Sequence, residues 1–175
     1  MGKFFLENRE IRECFDALPV EVRNKIIESD LELRFPPEYV PQDNERITLY
    51  RELDNMERPE QVEEFREHLR DRFGKIPDVA EELIRVVPLR MAAKRLGIER
   101  LVLKGGDMRA FFVGDDNRAY YASNAFGRLL AYMQQNVRRT QLKEANGKRS
   151  MIVAGVAGVS EALRVLTEIE SSEPL

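Results

Sequence analysis

The apolar pattern of this chain changes period at Gly97, and that change limits what the chain can fold into. Before Gly97, Val62, Phe65, Leu69 and Phe73 recur at three- and four-residue steps, which is the spacing of one helix face. After it, Ile98–Leu103 and Met108–Val113 alternate around Gly105-Gly106, a hairpin signal because both glycines accept positive φ. A helical part followed by a hairpin-rich part predicts an α+β fold: three N-terminal helices, then antiparallel β-hairpins packed with two helices.

The punctuation of the chain refines this reading. Asp30–Phe35 alternates Leu31 and Leu33 with Glu32 and Arg34, which suits a short half-buried strand stopped by Pro36-Pro37. Asp43 or Asn44 suits the N-cap of a first helix reaching Met56, with Ile47, Tyr50 and Leu53 as its buried stripe. Pro59 opens a second helix that Gly74 ends. A third begins near Asp78 and ends at Gly97, and Pro88 inside it predicts a kink or break. Asn117–Ser123 reads as a further strand through Tyr120, and Asn124–Asn136 as a helix. Arg139–Lys143 and Met151–Ala154 form a second hairpin around Asn146-Gly147, and Ser160 starts a final helix to Ser171. Residues 1–29 read as a linker or the end of a preceding region, with Phe4, Phe5, Ile11, Phe15 and Leu18 on one face. Residues 30–175 read as the domain. Met1-Gly2 leads into sequence of mid-protein character, so the chain reads as a fragment.

Absences narrow the chemistry. The lone Cys14 makes no intrachain disulfide or thiolate zinc site, and the lone His68 makes no multi-histidine centre. No P-loop string occurs, and Ala154-Gly155-Val156-Ala157-Gly158 lacks the third glycine of a dinucleotide fingerprint. Glu63-Glu64 and Asp115-Asp116 are adjacent pairs whose members point apart. No catalytic residue, cofactor site or metal site is expected, and no enzyme activity. No signal peptide or membrane span is legible, which points to the cytoplasm.

Two charged surfaces remain. The second helix carries Glu60, Glu63, Glu64, Glu67 and Asp71, either a contact for a basic partner or a solvated face paired locally with Arg58, Arg66 and Arg70. The 138–149 hairpin carries Arg138, Arg139, Lys143, Lys148 and Arg149. It is either a nucleic-acid contact or a solvated edge protected by charge. The whole-chain net charge of -3 gives no argument for non-specific nucleic-acid binding, so DNA contact is not expected of the domain.

The ordered series Leu31-Glu32-Leu33-Arg34-Phe35-Pro36, Tyr39-Val40-Pro41, Leu49-Tyr50-Arg51, Asp71-Arg72-Phe73-Gly74, Ile76-Pro77 and Ala93-Lys94-Arg95-Leu96-Gly97-Ile98 resembles the C-terminal domain of the bacterial transcription-repair coupling factor. That family's full-length protein is an ATP-driven DNA translocase of nucleotide excision repair. It displaces stalled RNA polymerase and recruits the repair protein UvrA. The resemblance implies a non-catalytic regulatory domain that docks on the UvrB-like module of its own protein, masks the UvrA-binding surface and restrains the motor. It further implies docking through Asp71, extended by Glu67 and Glu64, with His68 and Arg72 beside them. Phe73, Gly74, Pro77, Leu96 and Gly97 are then signature residues serving the fold. His68 stands where the family more usually has an acid, and Pro88 departs from an expected continuous helix.

Overall fold

A computed structural model describes residues 27–175. The expectations on Phe4, Phe5, Ile11, Phe15, Leu18 and Cys14 lie outside the described residues. In chain order the elements are β1 (Ile27–Ser29), α1 (Asp43–Asp54), α2 (Pro59–Phe73), α3 (Asp78–Arg95), β2 (Ile98–Lys104), β3 (Asp107–Phe112), α4 (Arg118–Tyr121), α5 (Asn124–Gln135), β4 (Thr140–Ala145), β5 (Lys148–Val153) and α6 (Val159–Glu170). The expected α+β order, helices first and hairpins after, is the observed one.

The strands make one sheet in the order β1-β2-β3-β5-β4. β1 runs parallel to β2, with Ile27 opposite Leu101, and the remaining neighbours are antiparallel. Both hairpin turns form as their glycines require. Gly105 and Gly106 have φ of 62° and 78°, and Asn146 and Gly147 have 54° and 73°. One sheet face is buried through Leu101, Leu103, Met108, Ala110, Met151 and Val153. α3 packs on β2 and on α6, and α6 on α5, so one apolar cluster runs from the sheet through α3 to α1 and α2.

Several expectations change. The early strand lies at Ile27–Ser29 instead of Asp30–Phe35. The reason is where the backbone donors go: Leu31 N–H donates to Ser29 Oγ (2.8 Å) and Phe35 N–H to Tyr50 Oη (3.0 Å), so neither pairs with a strand. Arg118–Tyr121 is a turn of helix, not a strand. Asn117 Oδ1 accepts from Tyr120 N–H, and the helical turn brings both tyrosine rings onto Phe126, at 5.7 and 4.8 Å between centroids. A strand would point them to opposite faces. α1 is preceded by Gln42, not capped by Asp43 or Asn44, and Leu49 joins Tyr50 and Leu53 in its buried stripe while Ile47 is half-buried.

α3 runs unbroken through Pro88. Proline leaves the Ile84 carbonyl without its helical donor, yet Leu83, Ile84, Val87 and Leu89 are fully buried around it and hold both halves in the core. Gly97 does more than end this helix. Its φ is 74°, and a Cβ there would overlap the Tyr120 ring, whose hydroxyl donates to Leu96 O at 2.5 Å.

The final helix is also built differently from its sequence reading. Gly158 precedes it and Ser160 lies inside it. Its first amides are capped by Glu82 of α3, which accepts from Val159 N–H (2.9 Å), Ser160 N–H (3.4 Å) and the Ser160 hydroxyl. Burial pushes the Glu82 carboxyl up, but the Ser160, Arg85 and Val159 donors outweigh it and leave the group below the ordinary carboxylate range.

Candidate functional site: the outer face of the second helix

α2 is held in place locally, and this fixes which of its faces is free. Pro59 sits in its first turn, and Gln61 Oε1 accepts from Glu57 N–H and Arg58 N–H, each at 2.9 Å. At the other end Gly74 takes φ of 86°, and the Tyr39 hydroxyl donates to Gly74 O at 2.8 Å. The Tyr39 ring packs on Phe73, 5.7 Å between centroids. Val62, Phe65 and Leu69 are buried.

At about 100° per residue, Glu60, Glu64, Glu67 and Asp71 fall within about 60° of each other, directly opposite that buried stripe. All four are exposed, and none forms an ion pair among the described residues. No cation of the helix forms an ion pair with them among the described residues: Arg58 and Arg70 are exposed without one, and two others turn away. Arg66 turns toward α3, pairing with Glu63 (2.6 Å) and Glu81 (3.1 Å). Arg72 turns toward α1, pairing with Glu45 at 2.7 Å while its guanidinium lies 5.3 Å from the Phe73 ring centroid. The outcome is a run of four carboxylates without an ion pair among the described residues, over about three helical turns.

The predicted docking residues therefore occupy two adjoining faces. Glu64, Glu67 and Asp71 lie on the stripe. His68 and Arg72 line the groove between α1 and α2, where clefts of about 480 and 390 Å3 meet at Thr48, Glu52 and His68. Glu60 was not among the predicted docking residues, although its i, i+4, i+7, i+11 spacing with the other three is plain in the sequence. The signature residues divide similarly. Leu96 is buried, Phe73 and Pro77 are half-buried, and Gly74 and Gly97 hold positive φ.

α1 meets α3 at a second charged feature. Arg90 of α3 donates to Leu53 O at 2.8 Å, with Met56 O at 3.4 Å, closing the C-terminal end of α1. Its guanidinium lies 3.9 Å from the Asp54 carboxylate. Burial raises the Asp54 carboxyl to about 7, and Arg90 only partly opposes that rise.

The basic hairpin is largely committed to its own scaffold. Arg139 donates to Ala154 O (2.7 Å) and Gly155 O (3.0 Å). Lys148 pairs with Glu99 at 3.2 Å. Arg149 Nε lies 3.0 Å from Glu144, an ion pair by distance without hydrogen-bond alignment, and its guanidinium stacks 4.2 Å from the Tyr121 ring centroid. Of the five predicted contacts, Arg138 and Lys143 are exposed and have no ion pair among the described residues. Among those residues no group of three or more His, Cys, Asp and Glu could hold a metal, and no helix is long and apolar enough to cross a membrane.

Residues 29–123 match the family model described as the TRCF domain. The transcription-repair-coupling factor of Helicobacter pylori is 37% identical over 65 residues, covering 37% of this chain and 6% of that protein. The Escherichia coli factor is 33% identical over 78 residues, covering 42% and 7%. The Staphylococcus epidermidis factor is 32% identical over 100 residues, covering 57% and 8%. The matched segments thus span less than a tenth of the length of these relatives. A crystal structure of the C-terminal domain of transcription-repair coupling factor superposes with a TM-score of 0.62 at 18% identity, over 83% of this chain and 94% of that one. That likeness shows the same fold.

Proposed function

The chain belongs to the TRCF domain family, and from that membership we propose that it is the regulatory C-terminal domain of a transcription-repair coupling factor, without catalysis of its own. Residues 30–175 form this domain. Residues 1–29 are the linker or the end of the preceding region, and their last three, Ile27–Ser29, lay β1 on the domain's sheet. In the intact protein α2 docks on the UvrB-like module. It covers the surface that UvrA would take and restrains the ATP-driven motor during transcription-coupled repair, so RNA polymerase and UvrA are reached through the parent protein.

The observation that carries this reading is the stripe Glu60, Glu64, Glu67 and Asp71, without an ion pair among the described residues, on a helix whose opposite face is buried. Four aligned carboxylates repel one another and gain from a basic partner. A tethered contact needs little intrinsic affinity, because linkage supplies a high local concentration. A modest, polar, salt-sensitive latch is what such a surface would make. His68 and Arg72 then sit at the border of the contact, where the α1–α2 groove begins.

The test is a charge reversal in the full-length protein. Glu67→Lys with Asp71→Lys is expected to raise both basal ATP hydrolysis and UvrA binding, with the domain still folded. Unchanged values for both would remove α2 as the docking face.

A further inference from the structure

The outer face of the sheet plays no part in the docking reading, and its cleft of about 440 Å3 is lined by strand residues alone. Strand alternation puts Arg100 and Lys104 of β2, Arg109 and Phe111 of β3, and Lys143 of β4 on this face. Phe111 is central and half-buried, directly opposite Arg100 on one side and Ser150 on the other. The Arg100 guanidinium lies 5.0 Å from its ring centroid and that of Arg109 5.9 Å. Arg100 is held by two hydrogen bonds to Glu28, at 2.8 and 3.0 Å. Asp107, the other acid here, is engaged by Gly155 N–H at 3.1 Å. Lys104, Arg109 and Lys143 form no ion pair among the described residues.

We propose that this open sheet face binds single-stranded nucleic acid, with Phe111 stacking on a base and Lys104, Arg109 and Lys143 meeting phosphates. A flat strand surface with one ring at its centre and free cations around it offers both things a single strand needs, a π-face and a track of positive charge. An acidic polypeptide would satisfy the cations but leave the ring without use. A duplex keeps its bases stacked and cannot present one to Phe111. The two guanidiniums already against the ring widen the platform, because planar arginine stacks on bases as well as on phenyl rings. This face is separate from α2, and neither proposal depends on the other.

The experiment is fluorescence anisotropy of the whole chain with a labelled short oligothymidine, an oligouridine and a duplex, at about 50 and about 200 mM salt. The single strands are expected to bind more tightly than the duplex, with a steep loss at the higher salt, and their ratio tells RNA from DNA. Phe111→Leu removes the ring on the outer face while leaving the buried core untouched, and is expected to weaken binding about tenfold. Lys104→Glu with Arg109→Glu is expected to abolish binding, while Arg138→Glu, in the turn before β4, leaves it intact. The proposal is overturned by no binding at the lower salt, by wild-type affinity of Phe111→Leu, by equal binding of duplex, or by competition from polyglutamate as effective as that from oligonucleotide.

Discussion

α2 and α6 are helices of similar length, yet they are fastened in opposite ways. α2 is closed mainly by its neighbours in sequence: Pro59, Gln61 and Gly74 act within a few residues, with Tyr39 reaching its last turn from farther off. α6 is closed from far away, by Glu82 some 77 residues upstream. The difference extends to charge. Glu60, Glu64, Glu67 and Asp71 of α2 form no ion pair among the described residues, whereas several polar groups in and around the sheet half are tied down: Glu82 on α6, Arg139 on two carbonyls, Asp30 on Gly105 N–H. A helix whose ends are satisfied locally leaves its surface available, and a helix capped remotely draws surface charge inward.

The largest expected effect falls on the remotely built half. Gly97→Ala combines a φ of 74° with an overlap on Tyr120, and we expect a loss of about 3 kcal/mol in urea unfolding. Glu82→Ala should cost about 2 kcal/mol, because three donors at the start of α6 lose their acceptor. Its depressed pKa adds a sign. The stability from Glu82 is present above the ordinary carboxylate value and is lost as pH falls through the lowered folded one, so the gap between wild type and variant should narrow in acid. A penalty that stays constant down to strongly acid pH would contradict the cap.

Asp54 tests the junction between the two halves with the opposite sign. Its folded pKa of about 7 lies above the ordinary 3.8, so ionisation is what the fold resists. Stability should be fullest below the unfolded value and decline as pH rises through 7. Asp54→Asn should flatten that decline and gain on wild type by an amount of order 1 kcal/mol between mildly acid and mildly alkaline pH. Parallel pH curves for the two proteins would show that Asp54 is ionised throughout. The smallest effect is expected on α2 itself: Glu67→Lys with Asp71→Lys should move the unfolding midpoint by less than about 0.5 kcal/mol.

The same contrast explains what could be read from the sequence. The α2 boundaries, both hairpin turns and the acidic stripe were legible because Pro59, Gly74, Gly105-Gly106 and the spacing of Glu64, Glu67 and Asp71 act within a few residues. The strand expected at Asn117–Ser123 failed because the fate of Tyr120 is decided by Leu96 O and Phe126, which no local pattern reveals. Ser160 does not start α6 for the same reason, since the acceptor that closes the helix arrives from α3. The strand placed at Asp30–Phe35 was displaced by two side-chain acceptors, Ser29 and Tyr50. The hairpin cations looked free in sequence and are mostly engaged in the fold. The open sheet face was the reverse case: Arg100, Arg109 and Phe111 alternate in plain view, but only the register brings them together.

The most direct test of the central claim is binding in trans between this chain and an isolated UvrB-like module, measured as a function of salt. The wild-type chain should bind, weaken as salt rises, and lose at least tenfold in affinity on Glu67→Lys with Asp71→Lys while its unfolding curve stays in place. Equal binding by the folded double variant and wild type would contradict the assignment of α2 as the latch.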